Sequence, residues 1–166
     1  MRPEAVQTGA LADAEAMVAT NLLGPIRLNA ALLPHLMAQP QATVMTVSSG
    51  LAFVPMALTP TYNATKAAIH SYTQSLRYQL TDTSVQVIEL VPPAVQTELM
   101  GPEQATNPHF MPLADFTAET MSLLAAQPGA TEILVERVKP LRFAEASGDY
   151  DGFFKRFNDA QSAHSE

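Results

Sequence analysis

The sequence contains no cysteine, so disulfides, thiolate metal sites and a cysteine nucleophile are all excluded. Charged residues make up only 15% of it, and the nine basic and sixteen acidic side chains form no long run of one sign. The net charge of −7 therefore offers no basic surface for nucleic acid or an anionic membrane. The four histidines, His35, His70, His109 and His164, lack the spacing typical of metal ligands. We expect small-molecule or protein partners, and no nucleic acid, membrane or metal.

Long apolar runs are also missing. Residues 1–13 lack the basic stretch and apolar segment of a secretory leader, and no apolar run approaches the ~18 residues that span a membrane. We therefore expect a cytoplasmic protein. The 166 residues, 47% of them hydrophobic, are enough for one domain with a sizeable core and too few for two ordinary ones. Residues 1–166 are thus predicted to form a single domain.

The spacing of apolar residues predicts two long helices and two strands in the first hundred residues. One helix covers Asp13–Met37, interrupted only at Gly24-Pro25, and the other covers Tyr62–Leu80. The β-branched run Thr43–Val47 predicts a strand buried on both faces, and Ser84–Val91 predicts a second strand. Helices and strands that alternate in this way are typical of α/β proteins.

The order of these elements predicts an α/β fold, part of a doubly wound, Rossmann-type parallel sheet with flanking helices. Beyond Thr97 we expect a helix over Phe116–Ala126, a last strand over Ile133–Val138 and a short helix over Tyr150–Asp159. Three strands would leave one edge of a parallel sheet unpaired, whereas such sheets normally have more strands and two covered faces. We therefore expect further chain before Met1 and an incomplete domain.

Four polar residues have an order and spacing that suit catalysis. Tyr62 and Lys66 stand four residues apart at the start of a helix, so their Cβ atoms lie ~6 Å apart on one face. A phenol with a pKa of ~10 needs a nearby positive charge to exchange protons near neutrality, and Lys66 could supply it. Ser49 follows a strand, at the edge where open α/β sheets bind ligands. Asn21 lies in mid-helix, where an amide is unfavourable and indicates a polar partner across the core.

Each of these features alone is common, because a Tyr-x-x-x-Lys pair is usually a solvated helix face and Ser-Ser-Gly is a frequent turn. Together, the segments Asn-Leu-Leu-Gly-Pro-Ile-Arg-Leu (21–28), Val-Ser-Ser-Gly (47–50) and Tyr-Asn-Ala-Thr-Lys (62–66) resemble the short-chain dehydrogenase/reductase family. The resemblance extends over Ala16–Thr97. It implies hydride transfer between a nicotinamide cofactor, NAD or NADP, and a small-molecule carbonyl or alcohol.

The resemblance also implies a role for each residue. Tyr62 would protonate the developing alkoxide or deprotonate the alcohol, and Ser49 would orient and stabilise the substrate oxygen. Lys66 would lower the pKa of Tyr62 and bind the nicotinamide ribose. Asn21 would anchor a water molecule that links Lys66 to solvent. These four residues are the predicted catalytic set.

A proline-containing loop after the second strand extends the resemblance to the cofactor. Residues 92–97, Pro-Pro-Ala-Val-Gln-Thr, resemble the family segment Pro-Gly-x-Val-x-Thr, in which the Val backbone and the Thr hydroxyl meet the nicotinamide carboxamide. Val95 and Thr97 therefore join Tyr62 and Lys66 as candidate cofactor-binding residues. Pro93 replaces the usual glycine and fixes φ near about −65°, which predicts a different loop backbone.

The glycine-rich loop that cradles the dinucleotide phosphates in this family does not precede the matched region. The sequence therefore does not specify NAD or NADP, and two functions stand side by side. One is an oxidoreductase of the family, and the other is a truncated, non-catalytic relative that acts through dimerisation or protein interaction. The two long helices match those that pair across the family's usual dimer interface, so a homo-oligomer through them is expected.

Overall fold

Three parallel strands form the sheet, in the spatial order β1, β2, β3. They comprise Ala42–Val47 (β1), Val85–Val91 (β2) and Glu132–Leu134 (β3). This computed structural model describes residues 1–7 and 11–162, and His164 lies outside them. The predicted α/β class with a parallel sheet is confirmed.

Helices precede, connect and follow the strands. The helices are Leu11–Val18 (α1), Gly24–Met37 (α2), Pro60–Gln79 (α3), Leu113–Ala126 (α4), Lys139–Arg142 (α5) and Tyr150–Ser162 (α6). A π-helical turn, Ala19–Leu23, joins α1 to α2, and 3₁₀ turns cover Gly50–Ala52, Pro102–Thr106, Glu136–Val138 and Glu145–Ser147. The four helices predicted from apolar spacing are therefore confirmed, with slightly different ends.

Strand β1 is not buried on both faces, so that prediction is wrong. Val44 and Thr46 are buried against the helical layer, and the Thr46 hydroxyl lies 2.7 Å from the hydroxyl of Thr73 on α3. Met45 and Val47 point to the other face and are 39% and 47% exposed. Apolar composition alone indicated two covered faces, whereas the described residues cover only one.

The predicted strand over Ile133–Val138 is also wrong in its second half. The chain leaves the sheet after Leu134 and forms a 3₁₀ turn over Glu136–Val138. The Glu119 carboxylate accepts a hydrogen bond from the backbone N–H of Glu136, 2.6 Å away, where a longer strand would bond to its neighbour. Val135 and Val138 are nevertheless fully buried. The apolar pattern over these residues therefore reflects burial in the core and not pairing with a neighbouring strand.

Two clusters of buried residues make up the core. The first fills the space between α3 and the sheet and comprises Val44, Leu76, Leu80, Val85 and Val87. The second lies near the end of β2 and comprises Val91, Met111, Val135 and Val138. Burial of these side chains contributes about 25 cal/mol for each Å² of apolar surface removed from water. The part of the protein between these two clusters is therefore flanked by packed apolar side chains on both sides.

The helical stretch Leu11–Met37 is long and apolar enough to cross a membrane, judged by length and composition alone. We expected no membrane-spanning run from the sequence, because polar residues such as Asn21 and Asn29 interrupt the apolar pattern of this stretch. A core helix of a soluble protein and a signal sequence meet the same two criteria. Of this apolar window 11% is buried, and the stretch bonds to α3 through both asparagine side chains. The cytoplasmic location stays a prediction.

Gly50 allows the carboxy-terminal segment to pack directly on the loop that follows β1. A Cβ atom at this position would lie 2.7 Å from Cδ1 of Leu141 and 2.9 Å from Cγ2 of Val138. Both distances are far below van der Waals contact, and Val138 is fully buried. Any larger residue must therefore displace these two side chains, or move the Glu136–Val138 turn and α5 away from the loop.

We predict that Gly50→Ala lowers the free energy of unfolding by about 1–3 kcal/mol, the usual cost of overpacking a buried site. Urea unfolding followed by circular dichroism measures the change. Gly129→Ala is the matched control, because no atom lies within 4 Å of its new Cβ, and we expect a change below about 0.5 kcal/mol. Equal midpoints for the two variants would contradict the packing argument.

Candidate active site

Ser49 and Tyr62 meet at the carboxyl end of β1. The Ser48 N–H donates to the carbonyl of Leu90 and the Gly50 N–H to that of Pro92, each over 3.0 Å, so strand-like pairing continues past the strand. Ser49 is 8% exposed and Tyr62 is 7% exposed, and the Ser49 hydroxyl lies near enough to the Tyr62 phenol to lower its pKa. The loop thus holds a hydroxyl against a buried phenol, as the sequence spacing suggested.

Lys66 lies one turn further along α3, on the same face as Tyr62. Its Nζ donates a hydrogen bond to the carbonyl of Val47 over 2.9 Å and lies 5.6 Å from the centroid of the Tyr62 ring. The contact with Val47 joins the first turns of α3 to the last residue of β1. The predicted dyad therefore forms, with the amine beside the ring and anchored to the strand.

The electrostatics of Tyr62 differ from the sequence expectation. Burial raises the pKa of the Tyr62 phenol above its ordinary value of 10.0, and the hydrogen bond with Ser49 lowers it by a smaller amount. Burial also lowers the pKa of the Lys66 amine. Lys66 is not among the groups that shift this pKa, so the expected lowering by Lys66 is absent, and desolvation outweighs the effect of Ser49. Ser49 is the group that favours the phenolate here.

Asn21 has the polar partner that its mid-helix position indicated. Its Nδ2 donates to Oγ1 of Thr65 over 3.3 Å, and that hydroxyl donates to the carbonyl of Tyr62 over 2.7 Å. Asn21 sits in the π-helical turn, and Pro25 has no N–H to give to the Asn21 carbonyl four residues earlier. The Asn21 amide thus reaches α3 through Thr65, which the sequence analysis had not singled out.

Val95 and Thr97 lie in the loop after β2, and Gln104 joins them. Nε2 of Gln104 donates to the carbonyl of Val95 over 2.8 Å and to Oγ1 of Thr97 over 2.9 Å. No hydrogen bond within residues 1–7 and 11–162 links Val95 or Thr97 directly to Tyr62 or Lys66. The two loops instead meet through the bond from Gly50 to Pro92. Gln104 was not foreseen, because nothing in the sequence pairs it with this motif.

A partly buried polar network connects α3, β2, β3 and α5. Nδ1 of His70 is 2.8 Å from a carboxylate oxygen of the fully buried Glu89, and Arg142 donates two 2.9 Å hydrogen bonds to Glu132. Donor atoms of His70, Glu89 and Glu132 lie within 4.8 Å of one another. Sequence spacing could not reveal the cluster, because its members come from α3, β2, β3 and α5. Since Arg142 already neutralises Glu132, we interpret the cluster as a salt-bridge network.

The donor set at this edge fits the nicotinamide end of a dinucleotide. The Lys66 amine and the Tyr62 phenol can bond ribose hydroxyls, and the Val95 carbonyl and Thr97 hydroxyl can accept from a primary amide. The phosphates of the dinucleotide would need a separate set of residues. Gly50, the glycine that closely follows β1, has its open side filled by Leu141 and Val138. Within the described ranges, the fit therefore extends to the nicotinamide and its ribose.

Comparison of sequences identifies relatives of this chain. A family profile described as short chain dehydrogenase matches residues 1–108. The uncharacterized oxidoreductase DltE of Bacillus subtilis is 43% identical over 141 residues, which cover 83% of this chain and 55% of that protein. The NADPH-dependent 1-acyldihydroxyacetone phosphate reductase of Schizosaccharomyces pombe is 34% identical over 89 residues, 54% of this chain and 30% of that protein. The chain thus spans about half the length of DltE and less of the reductase.

Solved structures of similar fold are short-chain dehydrogenases as well. One from Burkholderia cenocepacia, in complex with NADP, has a TM-score of 0.76 at 24% identity and aligns over 94% of this chain and 65% of its own. Another from Sphingobium yanoikuyae, in complex with NADPH, has a TM-score of 0.71 at 21% identity over 93% of this chain and 61% of its own. At these identities the likeness shows the Rossmann-type fold. Together with the profile match, it establishes that the chain belongs to the short-chain dehydrogenase family of oxidoreductases.

Proposed function

We propose that this protein is an NAD(P)-dependent oxidoreductase that reduces a carbonyl or oxidises an alcohol, with Tyr62 as the acid or base. The observation that carries the proposal is the burial of the Tyr62 phenol beside the Ser49 hydroxyl and the Lys66 amine, at the carboxyl end of β1. Open α/β sheets bind their ligands at that end. Membership of the family and the NADP-bound neighbours support the same chemistry.

Ser49 and Tyr62 have different roles at the substrate oxygen. When bound, the nicotinamide supplies the hydride for reduction or accepts it in oxidation. The Ser49 hydroxyl holds the substrate oxygen, and the Tyr62 phenol gives it a proton as the carbonyl becomes an alcohol. The raised pKa of Tyr62 keeps the phenol protonated at neutral pH, which suits this direction. In oxidation, Ser49 stabilises the phenolate that must accept the proton.

Lys66 and Asn21 act behind the phenol. The Lys66 amine, held by the Val47 carbonyl, has further N–H groups that can bond the nicotinamide ribose. Asn21 is tied to Thr65, the residue immediately before Lys66 on α3. A water molecule bound by Asn21 would connect this region to solvent. Through this path the proton used by Tyr62 is replaced.

Either dinucleotide is compatible with the proposal, because NAD and NADP share their nicotinamide end. The two structural neighbours named above hold NADP and NADPH. The residues that distinguish the two cofactors would contact the adenosine ribose, and none of the candidates here does so. Both cofactors therefore belong in any test.

The alternative function, a non-catalytic partner protein, rests on the outer face of α2. Leu28 and Leu32 are 58% and 44% exposed and lie four residues apart on that face. Exposed apolar side chains at this spacing favour contact with another helix. Self-association through α2 is compatible with catalysis and does not by itself distinguish the two functions. It favours the non-catalytic function only if Tyr62 is also dispensable for turnover.

We predict that Tyr62→Phe lowers turnover of a carbonyl by about 10²–10⁴-fold, because it removes the proton donor. Loss of reduced nicotinamide absorbance, measured with a panel of aldehydes and ketones, gives the rates. Tyr78→Phe is the control, since this residue of the same helix is 84% exposed and should leave the rate unchanged. Equal turnover by Tyr62→Phe and the unmodified protein would refute the assigned role.

We predict that Ser49→Ala raises the pKa of Tyr62 further. The Ser49 hydrogen bond favours the phenolate and so lowers this pKa, while burial raises it; removal of Ser49 leaves burial unopposed. NMR titration of ring-labelled tyrosine measures the shift. Ser75→Ala is the control, because its exposed hydroxyl bonds only locally to the Ser71 carbonyl. A Tyr62 pKa that stays constant or falls would show that Ser49 does not act on the phenol.

We predict that the double variant Leu28→Glu, Leu32→Glu is monomeric at concentrations where the unmodified chain dimerises, because charge on α2 opposes burial of that face. Sedimentation velocity over a concentration series measures the association. The double variant Leu113→Glu, Met121→Glu on α4, where the two residues are 51% and 61% exposed, adds the same two charges elsewhere and should not change it. Identical sedimentation of all three proteins would exclude this face as the interface.

A further inference from the structure

The side-chain amide of Gln104 uses all of its hydrogen-bonding groups within the loop after β2. Nε2 donates to the Val95 carbonyl over 2.8 Å and to Thr97 Oγ1 over 2.9 Å, and Oε1 accepts from the Met100 N–H over 3.0 Å. Gln104 is half-buried and uncharged. A flexible surface glutamine that forms three such bonds is held in one position, with its NH₂ group against two acceptors from a single short motif.

These two acceptors are the groups that the proposed function assigns to the nicotinamide. A nicotinamide ends in a primary carboxamide, and so does glutamine; each offers one NH₂ and one carbonyl oxygen. We propose that Gln104 occupies the carboxamide subsite of the free protein and must leave before a nicotinamide binds. The inference rests on the proposed function, and it adds a residue that competes with the cofactor for Val95 and Thr97.

The backbone around Gln104 permits this exchange. Gly101 has a φ of 122°, which residues with a side chain rarely adopt, and no atom lies within 4 Å of a Cβ built on it. The base of the loop is fixed separately, since Gln96 donates to the Met111 carbonyl over 2.8 Å and Met111 donates to that of Ala94 over 2.9 Å. The base of the loop thus holds Val95 in place when the Gln104 side chain rotates away from it.

The extent to which Gln104 weakens nicotinamide binding follows from the kind of hydrogen bond that is exchanged. Gln104 holds Val95 and Thr97 through hydrogen bonds between neutral groups, which contribute modestly because water replaces them on release. Displacement therefore weakens nicotinamide binding without preventing it. We expect removal of the Gln104 amide to tighten binding by roughly five- to tenfold.

Reduced nicotinamide mononucleotide is the probe for this test, because it carries the carboxamide and ribose without the adenosine half. Its fluorescence is titrated with the unmodified chain, Gln104→Ala and Gln104→Glu; the glutamate cannot donate to Val95. Gln96→Ala is the matched control, because Gln96 ties the same loop together through a 2.9 Å bond to the Asn107 carbonyl without using either acceptor. Circular dichroism melts show whether each variant is folded.

Tighter binding by both Gln104 variants, with Gln96→Ala unchanged, is the expected result. In ¹⁵N-labelled chain, the Gln104 side-chain amide should also lose its protection from solvent exchange when the probe saturates the site. Equal affinity of the unmodified chain and Gln104→Ala, or equal tightening by Gln96→Ala, would overturn the inference and leave the proposed function intact. Absence of binding by every variant would instead overturn the proposed function, and this inference with it.

Discussion

The contact between the start of α3 and the end of β1 determines the arrangement of the whole site. Lys66 donates to the carbonyl of Val47, and Thr73, two turns later, shares a hydrogen bond with Thr46. Because β1 and α3 are rigid and held at two points, the loop between them must place Ser49 beside Tyr62. Gly50 contributes from the opposite side, where it admits Leu141 against the same loop. A hydroxyl, a phenol and an amine thereby converge at the carboxyl end of β1.

Local patterns predicted the elements that depend on local chemistry. The helices α1 to α3 follow from apolar residues at three- and four-residue spacing, and β2 follows from a β-branched run closed by Pro92. The patterns failed where burial has a distant cause. Val135 and Val138 are buried by α4 and the loop after β1, so their apolar character was misread as a strand. The open face at Met45 could not be predicted either, since composition does not report which neighbours are present.

The same distinction applies to the site. Tyr62 and Lys66 lie one turn apart, and Ser49 closely precedes them, so their proximity could be predicted from spacing and from the family resemblance. The desolvation of Tyr62 could not be predicted in this way. It raises the pKa of the phenol, whereas the sequence led us to expect a lowered pKa. Contacts that join loops to other elements were also beyond reach, such as Gln104 with Val95 and Arg142 with Glu132. Such pairs depend on how loops pack, which no periodicity encodes.

The central claim is that Tyr62, Lys66 and the loop after β2 hold the nicotinamide end of a dinucleotide. Titration of NADPH and NADH into the purified chain, followed by nicotinamide fluorescence, tests it most directly. We expect saturable binding that Lys66→Met weakens and Lys139→Met, a change at a surface lysine in α5, leaves unchanged. Failure of a folded chain to bind either cofactor, or equal binding by the two lysine variants, would contradict this assignment.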